Sequence, residues 1–335
     1  MEQVLVTFQV TEEQREMIQK GLEDLAEVHF LSDAAAAERE ELLIEADVLL
    51  SWNPRRELDE RELGLPRKAR FMELLSAGVD HLPYDQLPEQ VSIAANVGGY
   101  AEPMAEHVMA MLLALAKDLR GGQRKLAAGN FDQFTPNRQV AGMTAVILGY
   151  GGIGRATARR MKAFDMRVVG VNRTAHGDKN ADLMGTLHDL DALLPQADVL
   201  VISLPLTDDT RGLIGARELS LMKPDAILIN VARGEIIVEP DLFEHLRNHP
   251  SFLAGIDAWW TEPFRHGVFR MNYPFLELPN VLGTPHNSGM VPGATEEALQ
   301  KALENVRHFL MGEPVVGVVN RSEYLPRESE PANQR

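Results

Sequence analysis

From Thr144 onward, six short apolar runs recur with helix-length spacers between them: 144–148, 167–172, 198–203, 226–230, 252–257 and 281–284. Near-continuous apolar runs of this length read as strands buried on both faces, and such strands belong to parallel sheets covered by helices on either side. Six of them joined by helical crossovers leave few topologies, and the doubly wound nucleotide fold is the one that fits.

The N-terminal part repeats the theme on a smaller scale. Strand candidates lie at Val4–Phe8, Asp47–Ser51 and Phe71–Leu75, with a helix over Glu12–Leu25, giving a small flavodoxin-like α/β unit. Glu102–Leu119 reads as one helix, apolar almost all round and therefore expected to be buried between domains or between subunits. A helix from about Thr295 to Leu310 returns the chain to the first domain, and the polar tail from Arg327 is expected to be disordered. The division expected is 1–100 plus 291–335 as substrate domain and 101–290 as coenzyme domain. With 335 residues, 45% of them hydrophobic, the chain can bury two such cores.

A net charge of −16 argues against nucleic acid or an anionic membrane as partner. The longest wholly apolar run in the helix after Pro103, Val108–Ala116, is nine residues, well short of the ~20 that span a bilayer. Cysteine is absent, which excludes disulfides, thiolate nucleophiles and cysteine metal sites, and no metal is expected. Met1-Glu2-Gln3 carries no basic segment, so no secretory signal is expected and the location expected is cytoplasmic.

Gly149, Gly151 and Gly154 directly follow a strand and open a helix. In that setting the first glycine permits a tight turn, the second lets backbone approach a pyrophosphate, and the third allows close helix–strand packing, with the phosphates at the helix N-terminus. The next strand ends in Asn172-Arg173-Thr174, where NAD enzymes carry an acid for the ribose 2′-hydroxyl. An uncharged amide followed by a guanidinium points either to a 2′-phosphate, hence NADPH, or to a plain solvated loop.

Arg233, Asp257, Glu262 and His286 follow the fourth, fifth and sixth strands and so share one sheet edge with the glycine turn. A histidine there could protonate a carbonyl oxygen as hydride arrives. A carboxylate on its other ring nitrogen, with Glu262 the best candidate, would fix its tautomer and stabilise its protonated form. Arg233 could bind the carboxylate of a 2-oxo acid. Singly, each residue has an ordinary structural explanation; together they read as hydride transfer between a nicotinamide and a small carbonyl acid.

These residues resemble the D-isomer-specific 2-hydroxyacid dehydrogenases, along nearly the whole chain. The likeness extends to Ser76–Asp80, Ala105-Glu106-His107, Leu204–Thr207 with Thr210, and Leu221–Pro224. The resemblance implies Arg233, Glu262 and His286 as catalytic residues. It implies that Asp257 holds the nicotinamide carboxamide and that the amides of Ser76, Ala77 and Gly78 bind the substrate carboxylate. Gly149, Gly151, Gly152, Ile153, Gly154, Asn172, Arg173, Thr174, Pro205, Thr210, Val231, Ala232, His286 and Ser288 would line the NAD(P)H site. It further implies a cleft between two domains and a homodimer, with the Glu102–Leu119 helix contributing. Reduction of glyoxylate or hydroxypyruvate is the activity expected. Phosphoglycerate, formate or phosphite oxidation, and a nucleotide-sensing corepressor-like protein without activity, are the alternatives. Three departures stand out: the 172–174 segment, Ser203, and a long stretch from Glu262 to His286 that either borders the pocket or is a surface loop. Trp259 and Trp260 wall an apolar pocket or pack the core, and His81 and His107 are read as structural.

Overall fold

The computed structural model describes residues 1–325; the tail from Arg327 lies outside them. By its contacts the chain divides into two compact units, Met1–Tyr100 with the chain from Pro292 on, and Ala101–Val291.

The first unit runs β1 (Glu2–Val6), α1 (Glu12–Leu22), β2 (Ala26–Phe30), α2 (Ala36–Glu45), β3 (Val48–Ser51), α3 (Pro54–Glu57), β4 (Phe71–Leu74) and β5 (Ser92–Ala94). These strands pair with one another in parallel, in the order β2-β1-β3-β4-β5, which is the flavodoxin-like order. α1 starts where Thr11 and Gln14 cap each other, the Gln14 amide donating to Thr11 Oγ1 at 3.2 Å and the Thr11 amide to Gln14 Oε1 at 3.1 Å. Its inner face buries Ile18 and Leu22 completely, each worth ~1.5–3 kcal/mol against exposure.

The second unit runs α4 (Ala101–Ala116), α5 (Leu119–Ala127), β6 (Thr144–Leu148), α6 (Gly152–Ala163), β7 (Arg167–Val171), β8 (Leu183–Gly185), α7 (Leu190–Leu193), β9 (Val199–Ile202), α8 (Ala216–Leu221), β10 (Ile227–Asn230), α9 (Glu239–Asn248), β11 (Leu253–Ile256), α10 (Pro263–His266) and β12 (Val281–Gly283). Its strands pair in parallel in the order β12-β11-β10-β9-β6-β7-β8, so the chain reverses direction between β6 and β9. That is the doubly wound dinucleotide order with one further strand, β12. The last helix, α11 (Ala294–Leu310), rejoins the first unit, packing Leu299, Ala302 and Val306 into its core.

Two expectations need correction. Among the described residues the sheet of the second unit has seven strands rather than six, because Leu183–Gly185 adds an edge strand on β7. The apolar stretch Glu102–Leu119 is not one helix. Asp118 takes the left-handed conformation (φ 43°) and caps α5, its carboxylate accepting from the Gly121 amide at 3.2 Å. Nor does α4 need another domain to bury it: Val108, Met111 and Leu112 pack with strand residues Ala145, Ile147 and Ile229 of their own unit. Arg160 of α6 pairs with both Glu102 and Glu106.

Candidate active site

The glycine turn forms where β6 meets the switch point. Gly149 has φ +98°, and a Cβ there would lie 2.5 Å from the Ser203 carbonyl oxygen at the end of β9. Only glycine fits both constraints. Ser203 braces the turn, its hydroxyl donating to the Gly149 carbonyl at 2.9 Å. Open space lies where a Gly151 Cβ would project, so backbone there can meet a ligand closely. A Cβ on Gly154 would run into the Gly149 carbonyl and the Ile147 side chain, so this glycine keeps α6 close to β6. Gly152 and Ile153 form the first turn of α6, whose amides face the turn.

Tyr150 is buried within the turn, and its hydroxyl donates to Asp178 Oδ1 at 2.9 Å; burial, then this carboxylate, pushes the phenol up. Arg155 pairs with the same carboxylate at 3.3 Å. Asp178 thus ties the loop after β7 to the glycine turn, a role the sequence reading missed. Within that loop Asn172 accepts from the Thr174 amide at 3.2 Å and donates to the His176 carbonyl at 2.8 Å. The strand end is therefore folded by an uncharged side chain, with Arg173 and Thr174 exposed beside it.

After β9, Thr210 is buried and donates to the Pro205 carbonyl at 2.7 Å while accepting from the Thr207 amide at 2.8 Å, so it fixes the shape of this turn. After β10, fully buried Asn230 accepts from the Ala232 amide (3.0 Å) and donates to the Arg233 carbonyl (2.8 Å), clamping buried Val231 and Ala232 and presenting Arg233. A Cβ on Gly234 would meet the Trp259–Trp260 backbone, so glycine lets the loops after β10 and β11 touch.

The loop after β12 carries His286, with φ +50°, a conformation side chains rarely adopt. Its Nδ1 lies 2.8 and 2.7 Å from the two oxygens of Glu262, which is 5% exposed. The Trp259 amide also donates to Glu262 at 2.6 Å. His266 accepts from the Glu262 amide at 3.0 Å, and Arg265 pairs with Glu235 at 2.7 Å. Further along, Tyr273 stacks on Phe243 and Phe275 is fully buried. The long 262–286 stretch is thus packed onto its own unit, although Phe264 and Phe269 stay 41% and 48% exposed. Trp259 and Trp260 serve the core; their indole N–H groups donate to the carbonyls of Thr284 and Ile237, each at 2.8 Å.

Asp257 is fully buried, and its oxygens accept from the Thr284 hydroxyl (2.6 Å) and the amides of Asn287 (3.2 Å) and Ser288 (3.3 Å). The Ser288 hydroxyl, also buried, has no hydrogen-bond partner, an expensive arrangement unless a ligand group meets it. This orphaned hydroxyl and the open face of Gly151 fit a dinucleotide lying along the strand ends from β6 to β12. In the first unit, Ser76, Ala77 and Gly78 follow β4; the Ser76 carbonyl accepts from the Asn96 amide at 3.1 Å and the Ser76 hydroxyl is buried without a partner. Among the described residues there is no cluster of side chains fit to hold a metal ion and no helix long and apolar enough to cross a membrane.

Residues 109–288 match the NAD binding domain of the D-isomer specific 2-hydroxyacid dehydrogenases. The chain is 30% identical to the glyoxylate reductase of Pyrococcus horikoshii over 93% of its own length and 95% of that protein. It is 30% identical to the D-3-phosphoglycerate dehydrogenase of Methanocaldococcus jannaschii over 97% of its length, but spans only 61% of that longer protein. Among solved structures it superposes with a TM-score of 0.79 and 26% identity on the NADPH-dependent glyoxylate/hydroxypyruvate reductase of Sinorhizobium meliloti in complex with NADP and sulfate, covering 97% of this chain and all of that one. The chain belongs to the D-isomer-specific 2-hydroxyacid dehydrogenase family, and it is an NAD(P)-dependent oxidoreductase of that two-domain α/β type.

Proposed function

We propose that the protein reduces a small 2-oxo acid of the glyoxylate or hydroxypyruvate kind, with His286 as proton donor, Glu262 as its partner and Arg233 as the group that binds the acid. The observation that carries this is the His286–Glu262 pair, held at 2.7–2.8 Å on the strand-end edge that also bears the glycine turn and Arg233. Nδ1 faces a carboxylate and so carries a hydrogen. The second proton of the imidazolium then sits on Nε2, the nitrogen available to a substrate oxygen. Reduced coenzyme, when bound, supplies the hydride to the carbonyl carbon. Nε2 gives its proton to the oxygen, and Glu262 stabilises the charge on the ring until that transfer. Arg233 neutralises the substrate carboxylate and, through its planar fork, aligns the carbonyl. The Ser288 hydroxyl and Asp257 would hold the nicotinamide end of the coenzyme, and the α6 N-terminus its pyrophosphate. The first unit is the substrate domain, and the amides of Ser76–Gly78 take part in holding the carboxylate.

NADPH is the coenzyme this reading favours, because the second strand of the coenzyme sheet ends in an uncharged amide and an arginine. A homodimer is also proposed. Leu119, Leu126, Phe131 and Phe134, on and just after α5, are all more than half exposed, and a second copy would cover them. Light scattering on Phe131→Ser/Phe134→Ser should then give the monomer mass; an unchanged mass would dismiss this surface.

The test of function is a panel of glyoxylate, hydroxypyruvate, pyruvate and a branched 2-oxo acid, with NADPH and NADH, followed by loss of the reduced nicotinamide absorbance. Turnover of glyoxylate or hydroxypyruvate above the others is expected. Coenzyme binding without turnover of any acid would overturn the reading in favour of a nucleotide sensor.

A further inference from the structure

His107, on α4, has no part in the reaction as described, yet it reaches the segment that carries His286. Its Nε2 lies 3.0 Å from the Thr284 hydroxyl and 3.7 Å from Asp257 Oδ1. The Thr284 hydroxyl is itself 2.6 Å from that same Oδ1. A carboxylate only accepts, so the single hydroxyl hydrogen of Thr284 points to Asp257, and the contact with His107 must be an N–H donated by the imidazole. The chain is therefore directional, from His107 through Thr284 to Asp257, and it fixes the His107 tautomer.

Its placement gives it a consequence. Asp257 grips the loop on both sides of His286: Thr284 two residues before, and the Asn287 and Ser288 amides just after. Between these grips His286 holds φ +50°. A non-glycine residue in that region is strained and persists only where its surroundings over-determine it. We infer that His107 is a positioning residue, which through Thr284 and Asp257 holds the His286 backbone in the conformation that sets its ring against Glu262.

This inference rests on His286 being the proton donor. Removing the N–H while keeping a ring, as in His107→Phe, should lower kcat about tenfold while the KM for the 2-oxo acid and the coenzyme dissociation constant stay within about twofold, since geometry at the proton is lost rather than binding. His107→Gln, which restores an N–H donor, should bring kcat back to within about threefold of wild type. Thr284→Val removes the intermediate link without changing shape, and adding His107→Phe to it should lower kcat no further, because both act through one chain. A His107→Phe kcat within twofold of wild type, a His107→Gln as impaired as His107→Phe, or losses that multiply in the double variant would each overturn the inference. His286→Ala measured alongside separates the two readings. A near-normal rate in that variant removes the proton-donor assignment itself, whereas a large loss there with an unaffected His107→Phe removes only the relay.

Discussion

Glu262 and His286 meet across 24 positions of sequence, with both carboxylate oxygens within 2.8 Å of Nδ1. A bidentate partner on one nitrogen leaves the imidazole one productive orientation, and Glu262 is itself pinned by the Trp259 amide at 2.6 Å. His286→Ala should therefore cost roughly 10²–10⁴ in turnover, the range of a lost general acid, while coenzyme binding measured by fluorescence titration survives. A near-normal rate in this variant would remove the assignment.

Arg233 is presented by a loop that Asn230 clamps at both ends. Arg233→Lys keeps the charge and loses the fork, so kcat/KM for the 2-oxo acid should fall about tenfold or more, mostly through KM. If Arg233→Lys matches wild type with every acid tried, the carboxylate is held by other groups.

The central strands and the motifs at their ends were legible because each strand is buried on both faces and ends in a residue type that structure alone rarely asks for. The strands not read from the sequence, Ala26–Phe30, Leu183–Gly185 and Ser92–Ala94, are all at sheet edges. There Glu27 and His29 can stay solvated, and three residues suffice for pairing, so neither length nor an apolar run announces them. The break at Asp118 was hidden by the apolar stretch before it. At the site, the pairing of His286 with Glu262 followed from placement on adjacent strand ends. The contacts of Asp178 with Tyr150 and of His107 on α4 with Thr284 did not, because they join segments 28 and 177 positions apart that no local pattern links. His266 lies only four positions from Glu262, but a side chain that caps a backbone amide leaves no pattern of its own.

The coenzyme loop makes its own prediction. The Asn172 side chain bonds Thr174 and His176 of its own loop and brings no negative charge to it, whereas an Asp in its place would repel a 2′-phosphate. One charge-assisted contact from Arg173 is worth ~1.5–3 kcal/mol, or about tenfold to a hundredfold in affinity. NADPH should accordingly be used at least as well as NADH, and Asn172→Asp/Arg173→Ala should reverse the ratio of kcat/KM values. A wild type that prefers NADH tenfold, with the ratio unmoved in the double variant, would show that this loop does not choose the coenzyme.

Glu73 lies on β4 in the first unit, 1% exposed, with the Asn305 side-chain amide donating to its Oε2 at 2.6 Å. Burial pushes its carboxyl up from an ordinary 4.5 to about 8, against the smaller opposing pull of Asn305. The sign for stability follows. Below about pH 4.5 both folded and unfolded chains hold the proton and the site contributes fully. Between there and about pH 8 the unfolded chain releases the proton while the folded chain keeps it, so stability declines as pH rises. The slope approaches about 1.4 kcal/mol per pH unit. Glu73→Gln keeps an acceptor for Asn305 and is neutral throughout. Urea midpoints should then show the wild type losing stability relative to Glu73→Gln from pH 5 to pH 8, by a few kcal/mol in all; curves that stay parallel over this range would mean that Glu73 does not titrate there.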